Sequence, residues 1–111
     1  MSGVINFANP ITVTVSSAGT AVQVTSTSTN VTSFEVHCPA GNTGSVFVGN
    51  SSILNSTGAP IAKGTAKNFS TGRDSLMDSI TDSYDLSLIY IDAANSGDTA
   101  IVTYFERVAH P

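Results

Sequence analysis

Short runs in which apolar and polar residues alternate are the feature that most constrains the fold of this chain. Residues 11–15 read Ile-Thr-Val-Thr-Val, so every second side chain is aliphatic. A period of two places the aliphatic residues on one face of a β-strand and the threonines on the other. β-branched residues at every position also suit a pleated, extended backbone. Residues 11–15 are therefore predicted to form a half-buried strand.

Similar runs recur along the chain, separated by Gly, Pro, Asn and Ser residues that favour turns. Further strands are predicted at residues 21–25, 34–38, 46–48, 60–62, 66–69, 86–91 and 99–107. The runs at residues 11–15 and 21–25 are predicted to pair as one hairpin, and the runs at residues 86–91 and 99–107 as another. About seven short antiparallel strands at this spacing indicate an all-β fold, either a small β-barrel or a β-sandwich.

The length of 111 residues fits one domain. We predict an N-terminal arm over residues 1–10, a β domain over 11–107 and a C-terminal tail over 108–111. Within the β domain, residues 71–85 break the alternation, since apolar residues recur there at helical intervals. This segment is predicted to be an inserted loop with a short helical turn.

The charge balance bears on the partners of the chain. Four Lys and Arg residues against eight Asp and Glu residues give a net charge of −4, which disfavours nucleic acid because binding to phosphates depends on basic side chains. No apolar run is long enough to span a membrane, and no membrane partner is expected. The first residues lack the basic start and continuous apolar stretch of a secretory signal, so synthesis in a cytoplasm is expected.

Residues with catalytic or metal-binding chemistry are few. The two histidines are His37 and His110, and His37 precedes the single cysteine, Cys38, in a predicted strand. Adjacent strand residues point to opposite faces, so these two side chains form a poor nucleophile and base pair. We expect no catalytic residues, no cofactor and no enzyme activity. Residues 92–98 faintly resemble a calcium loop, but they lack a closing Glu, and a plain turn without metal is the favoured interpretation.

Three segments carry a family resemblance. Residues 40–51 read AGNTGSVFVGNS, residues 58–64 read GAPIAKG, and residues 85–93 read DLSLIYIDA. They resemble small β-proteins of tailed bacteriophage virions, in which N-T-G-x-V-Y/F-V-G-D/N-S is followed by a glycine turn and by D-L-S-x-I-Y-V-D-A. The resemblance covers roughly residues 34–105. It implies that the following residues define the fold: Asn42, Thr43, Gly44, Val46, Phe47, Val48, Gly49, Gly58, Gly64, Asp85, Leu86, Ile89, Tyr90, Asp92 and Gly97.

The resemblance also implies a function. It indicates a capsid decoration or cement protein on the outer surface of the phage head, bound to the major capsid protein and to copies of itself as a homotrimer. A receptor- or glycan-binding module of a head fibre or tail is the alternative. The chain departs from the family pattern between Phe69 and Asp85, where residues 71–84 lengthen it. Apolar residues of the arm and of this insertion are the candidate partner contacts: Val4, Ile5, Phe7, Leu76 and Met77.

Overall fold

The computed structural model describes residues 4–52, 57–70 and 83–108, with side chains for residues 8–105 within those ranges. Two of the five candidate contact residues, Leu76 and Met77, and most of the predicted inserted loop lie outside the described residues. The strands of the described part are, in chain order, β1 (Val4–Phe7), β2 (Ile11–Thr14), β3 (Val22–Gln23), β4 (Asn30–Val31), β5 (Ser33–Cys38), β6 (Val46–Gly49), β7 (Ala59–Ile61), β8 (Thr65–Ser70), β9 (Tyr84–Asp85), β10 (Tyr90–Ala93) and β11 (Thr99–Val108).

The strands form two antiparallel sheets and one small ribbon. In the first sheet, β11 pairs with β1 and β2 along one edge and with β5 along the other, and β8 pairs with the far edge of β5. The second sheet has the order β3-β10-β6-β7, and β4 pairs with β9 separately. This arrangement confirms the predicted all-β class and is a sandwich-like fold rather than a closed barrel.

The core lies between the two sheets. The predicted alternation is confirmed in β5. This strand buries Phe34, Val36 and Cys38, whereas Glu35 is exposed. The second sheet contributes its own inward-facing residues, among them Val46 and Ile91, both fully buried. Each such side chain contributes about 1.5–3 kcal/mol through removal of apolar surface from water. Residues from both sheets join in one contiguous apolar cluster.

Both predicted hairpins are wrong. Strand β2 pairs with β11 in the first sheet, whereas β3 pairs with β10 in the second, so the intervening turn carries the chain between sheets. In the same way β10 and β11 lie in different sheets. Alternation specifies which face of a strand is buried, but it does not specify the neighbouring strand. Turn residues between two strands mark a change of direction and say nothing about whether the strands pair.

The predicted strand over residues 86–91 is also shorter in the structure. Residues Leu86–Leu88 form a single 3₁₀ turn, and the strand begins only at Tyr90. The Asp85 side chain accepts a hydrogen bond from the backbone N–H of Ser87 and so caps this turn. Leu86 is fully buried, while Leu88 is 66% exposed.

The terminal segments differ from the predicted arms. Val4–Phe7 pairs along its whole length with Phe105–Val108 of β11, so the candidate contacts Val4, Ile5 and Phe7 lie in a strand of the first sheet. Val108, predicted to begin the C-terminal tail, is the last residue of β11. Pro10 falls between β1 and β2, consistent with its inability to donate to a ladder. Tyr84–Asp85, predicted as part of the inserted loop, forms strand β9.

Candidate functional site

A cluster of buried polar side chains joins the turns at one end of the sandwich. Asp98, only 6% exposed, precedes β11 and accepts hydrogen bonds from the backbone N–H groups of Thr43 and Gly44, at 2.9 Å to each carboxylate oxygen. The carboxylate therefore fastens the β5–β6 loop to the β10–β11 turn. Hydrogen bonds to a charged acceptor are stronger than those between neutral groups. We call this set of contacts, together with those of Asn42, the latch.

Asn42 makes the second half of the latch. Its side-chain Nδ2 donates to the backbone oxygen of Thr99 at 2.7 Å, and its Oδ1 accepts from the Thr99 N–H at 3.1 Å. The amide thus satisfies both backbone groups of Thr99, as a neighbouring strand would. Strand β5 has ended at Cys38, before it could pair with Thr99. Asn42 replaces the missing strand, which explains why a polar residue here is only 8% exposed.

Two glycines lie in the turns of the latch, one beside a neighbouring side chain and one at a positive φ. A Cβ atom at Gly44 would lie 2.6 Å from Nδ2 of Asn95, and Gly97 has a φ of +91°, a conformation that residues with a side chain rarely adopt. The structure therefore brings together four of the residues that carry the resemblance, Asn42, Thr43, Gly44 and Gly97, with Asp98. Their shared role in this chain is structural.

The remaining motif residues lie in or beside paired strands. Val46–Gly49 is strand β6, and it pairs with β10, which contains Tyr90 and Asp92. A Cβ at Gly58 would lie 2.9 Å from Cβ of Phe47, so only glycine fits there, and Gly64 has a φ of +79°. Leu86 is buried and Ile89 packs against the core. The segments that carry the resemblance are thus neighbours in the second sheet and in its turns.

Asp92 has a buried carboxyl group outside the latch. Its neighbours Ile91 and Ala93 face the core, so its own side chain lies on the outer face of the second sheet, yet it is fully buried. Oδ1 accepts hydrogen bonds from the N–H of Gly19 at 2.9 Å and of Ala93 at 2.8 Å. Oδ2 has no hydrogen-bond partner. The loop of residues 16–20, which contains Gly19, covers this carboxylate.

At the opposite end of the sandwich, Asp85 organises a more exposed network. Its carboxylate accepts from the Ser87 hydroxyl at 2.7 Å, the Ser28 hydroxyl at 2.8 Å, the Ser87 N–H at 3.0 Å and the Thr29 N–H at 3.2 Å. These hydrogen bonds, led by that from the Ser87 hydroxyl, lower the pKa of Asp85 from 3.8 to about 2. The network ties the segment before β4 to the segment after β9.

The fold does not bring together the residues that the sequence offered for catalysis or metal binding. Cys38 is fully buried, and its Sγ contacts Asn42 and the carbonyl of Gly44, whereas His37 lies half-buried on the other face of β5. In residues 92–98, the Asp98 carboxylate binds backbone N–H groups rather than facing Asp92 across a metal loop. Among the described residues no three His, Cys, Asp or Glu side chains are grouped as metal ligands.

A groove of about 240 Å³ lies on the first sheet, and no pattern in the sequence predicted it. Strands β5, β8 and β11 line it with Glu35, Asn68, Thr103 and Phe105, among others. Phe105 is 55% exposed, one of two large apolar side chains so exposed in the described part of the chain. It follows the last residue of β11 that pairs with β5, so its ring lies where the sheet narrows to β1 and β11.

Comparisons with protein-family models, with curated proteins and with solved structures found no match. Among the described residues, no helix has the length and apolar character needed to cross a membrane.

Proposed function

We propose that this chain is a structural protein of a tailed-bacteriophage virion that decorates the outer surface of the capsid as a homotrimer. The proposal rests on the motif resemblance of residues 34–105 and on one structural observation, the exposed ring of Phe105 beside the groove. Large aromatic side chains in shallow pockets are frequent centres of protein–protein binding energy. The groove binds the capsid protein or a neighbouring copy through Phe105.

The distribution of polar groups supports a binding role. The buried polar side chains Asn42 and Asp98 are committed to backbone groups, so they hold the shape of the domain rather than face a substrate. The groove, by contrast, offers a mixture of apolar and polar side chains on three adjacent strands, and the Phe105 ring beside it is 55% exposed. A rigid domain with such a surface binds without reorganisation, which preserves affinity. Many identical copies on a shell make a modest single contact sufficient.

The direct test is binding of purified chain to shells that lack it. Phe105→Ser is expected to lower the affinity at least about tenfold, because an interface loses a central aromatic side chain. Leu88→Ser is the matched control, since Leu88 is also a large apolar side chain, is 66% exposed and does not line the groove. Leu88→Ser should bind like the wild type. Equal loss in both variants, or in neither, would contradict the assignment of the groove.

Oligomeric state is tested separately, by light scattering and native mass spectrometry of the free chain. A trimer at micromolar concentration is expected, and a chain that stays monomeric at high concentration would remove the trimer from the proposal. Deletion of residues 1–7 removes β1 and leaves one edge of Phe105–Val108 unpaired. The truncated chain should retain the sandwich but coat shells at reduced occupancy.

A glycan-binding module is the second candidate, and the groove supplies the observation that favours it. Phe105 offers a ring for stacking, while Glu35 and Asn68 offer hydrogen-bonding groups nearby. Binding to a glycan array that is lost in Phe105→Ser, together with no binding to shells, would replace the capsid assignment with this one.

A further inference from the structure

Glu35 is the only acidic or basic side chain among the residues that line the groove on the first sheet. The strand register places Thr103 of β11 and Asn68 of β8 directly opposite Glu35, one on each side. Directly opposite residues point to the same face of a sheet, so these three side chains form a row across the three strands. Phe34 and Val36, the neighbours of Glu35 in β5, are buried in the core. The row therefore lies on the outer face of the sheet.

Phe105 forms a second wall of the groove. It lies two residues after Thr103 in β11, so it shares the face of Glu35 and is the diagonal neighbour of that residue, at about 7–8 Å between Cα atoms. The same register, continued past its last pair, would bring Ser33 opposite Phe105, and the short side chain of Ser33 leaves space there. The ring is 55% exposed. The groove therefore has an aromatic wall and an acidic wall.

The polar groups of this row are available to a ligand. Within the described part of the chain, neither the Glu35 carboxylate nor the Asn68 side chain makes a hydrogen bond or an ion pair. Lys67 precedes Asn68, but it is paired with Val36, whose side chain faces the core, so Lys67 lies on the opposite face of β8. The negative charge of Glu35 is therefore open to a positively charged partner.

A carboxylate beside an aromatic ring suits an arginine side chain. The planar guanidinium stacks on the face of a ring and donates two parallel hydrogen bonds to one carboxylate, whereas the ammonium of lysine offers only a point charge. The side-chain oxygen of Asn68 can accept a further guanidinium hydrogen bond. The groove volume of about 240 Å³ is below the range of about 300–1,000 Å³ that is usual for small-molecule pockets, so the groove suits one long side chain.

The net charge of the chain indicates where the arginine comes from. With eight acidic and four basic residues, copies of the chain repel one another and are attracted to a basic surface of another protein. We propose that the groove binds an arginine side chain of the capsid protein, with the guanidinium stacked on Phe105 and hydrogen-bonded to Glu35. This inference rests on the proposed capsid function and adds the chemistry of the partner.

Binding to shells that lack the chain tests the proposal, with one batch of shells treated with phenylglyoxal to modify arginine. Glu35→Gln should bind untreated shells at least about threefold more weakly than the wild type. Both proteins should bind treated shells equally, because the two changes remove the same contact. Asp85→Asn, which removes the same charge outside the groove, should bind untreated shells like the wild type. Loss in Phe105→Ser without loss in Glu35→Gln would overturn this inference and leave the capsid proposal standing.

A second measurement uses the free chain and remains decisive if the chain does not bind shells. N-acetyl-arginine amide should shift the amide resonances of Glu35 and Asn68 saturably. The citrulline analogue has the same length without the charge and should bind at least about threefold more weakly. Equal binding of the two compounds, or no saturable shift, would overturn the inference. Self-association of the wild type that is lost in Glu35→Gln would assign the arginine to a second copy and overturn the choice of partner.

Discussion

The two ends of the sandwich are both held by an aspartate bound to backbone N–H groups, but the aspartates differ in exposure. Asp98 is buried and fastens two loops around strand β11, whereas Asp85 is partly exposed and is surrounded by serine hydroxyls. At the end that contains Asp85, aromatic rings pack together. Phe34 stacks on Phe69 and meets Tyr84 edge to face, each pair at 5.1 Å between ring centroids. One end is therefore held by hydrogen bonds to a buried carboxylate, and the other by aromatic packing beside a more exposed one.

The largest effect is expected from removal of the latch carboxylate. Asp98→Ala leaves the N–H groups of Thr43 and Gly44 without their acceptor, and each unsatisfied group costs about 1–3 kcal/mol. The free energy of unfolding should fall by about 3–4 kcal/mol in urea denaturation. The fall in the free energy of unfolding would be small only if both N–H groups formed hydrogen bonds to water instead. A loss below about 1 kcal/mol would show that water reaches the N–H groups of the latch as readily as those around Asp85.

The next effect concerns the aromatic end. Phe34→Leu removes two ring contacts and some buried area from a side chain that is 2% exposed, so the free energy of unfolding should fall by about 2 kcal/mol. Phe105→Leu is the control, because the same change at a ring that is 55% exposed should have little effect. Chemical denaturation of both variants measures the difference. Equal losses would mean that the stacking of Phe34 adds nothing to stability.

These two ends also show what the sequence could predict. Alternation correctly identified the buried face of β5 and the strands at β2, β6, β7 and β8. It could not identify strand partners, since the side-chain period of a strand is the same whichever neighbour it has. Asn42 and Asp98 were visible only as parts of a motif and a turn. Their contacts, with both backbone groups of Thr99 and with the N–H groups of Thr43 and Gly44, depend on which segments the fold brings together, and no local pattern predicts that.

The surroundings of Phe105 and Asp92 were harder still to predict from the sequence. Phe105 belongs to a regular alternation with Thr103, so the sequence predicts which face it occupies. It does not predict that the pairing of β5 with β11 ends at Phe34 and Tyr104, next to a ring that is 55% exposed. The buried state of Asp92 was equally hidden, because a carboxylate on the outer face of a strand is normally solvated. A loop that begins in the other sheet covers it.

A smaller effect tests the backbone of the latch. Gly97→Ala places a side chain on a residue with a φ of +91°, and the free energy of unfolding should fall by about 1 kcal/mol although a Cβ there meets no atom within 4 Å. Gly41→Ala is the matched control in the adjoining loop. Its Cβ also meets no atom within 4 Å, and its φ is not positive, so it should be neutral or slightly stabilising. Identical melting curves for the two variants would contradict the geometry of the turn.

The smallest effect is expected from acid at the Asp85 end. Because the pKa of Asp85 is lowered to about 2 in the folded chain, its stabilising contribution is complete above pH 3.8 and is lost as the pH falls towards 2. The amide resonances of Thr29 and Ser87 should broaden or shift across this window before global unfolding. Asp85→Asn should remove the local transition. If the wild type and this variant titrate alike, another group governs that end.

Strand β11 pairs with β1, β2 and β5, all of which precede it by long stretches of chain, and in the described part only β6 and β7 form a pair of consecutive strands. The first sheet thus has to wait until residue 104 has been synthesised before its central strand can join β5. Closing such large loops is slow relative to hairpin formation. The first sheet is therefore expected to form late in folding, because its central strand has to close several long loops before it can pair.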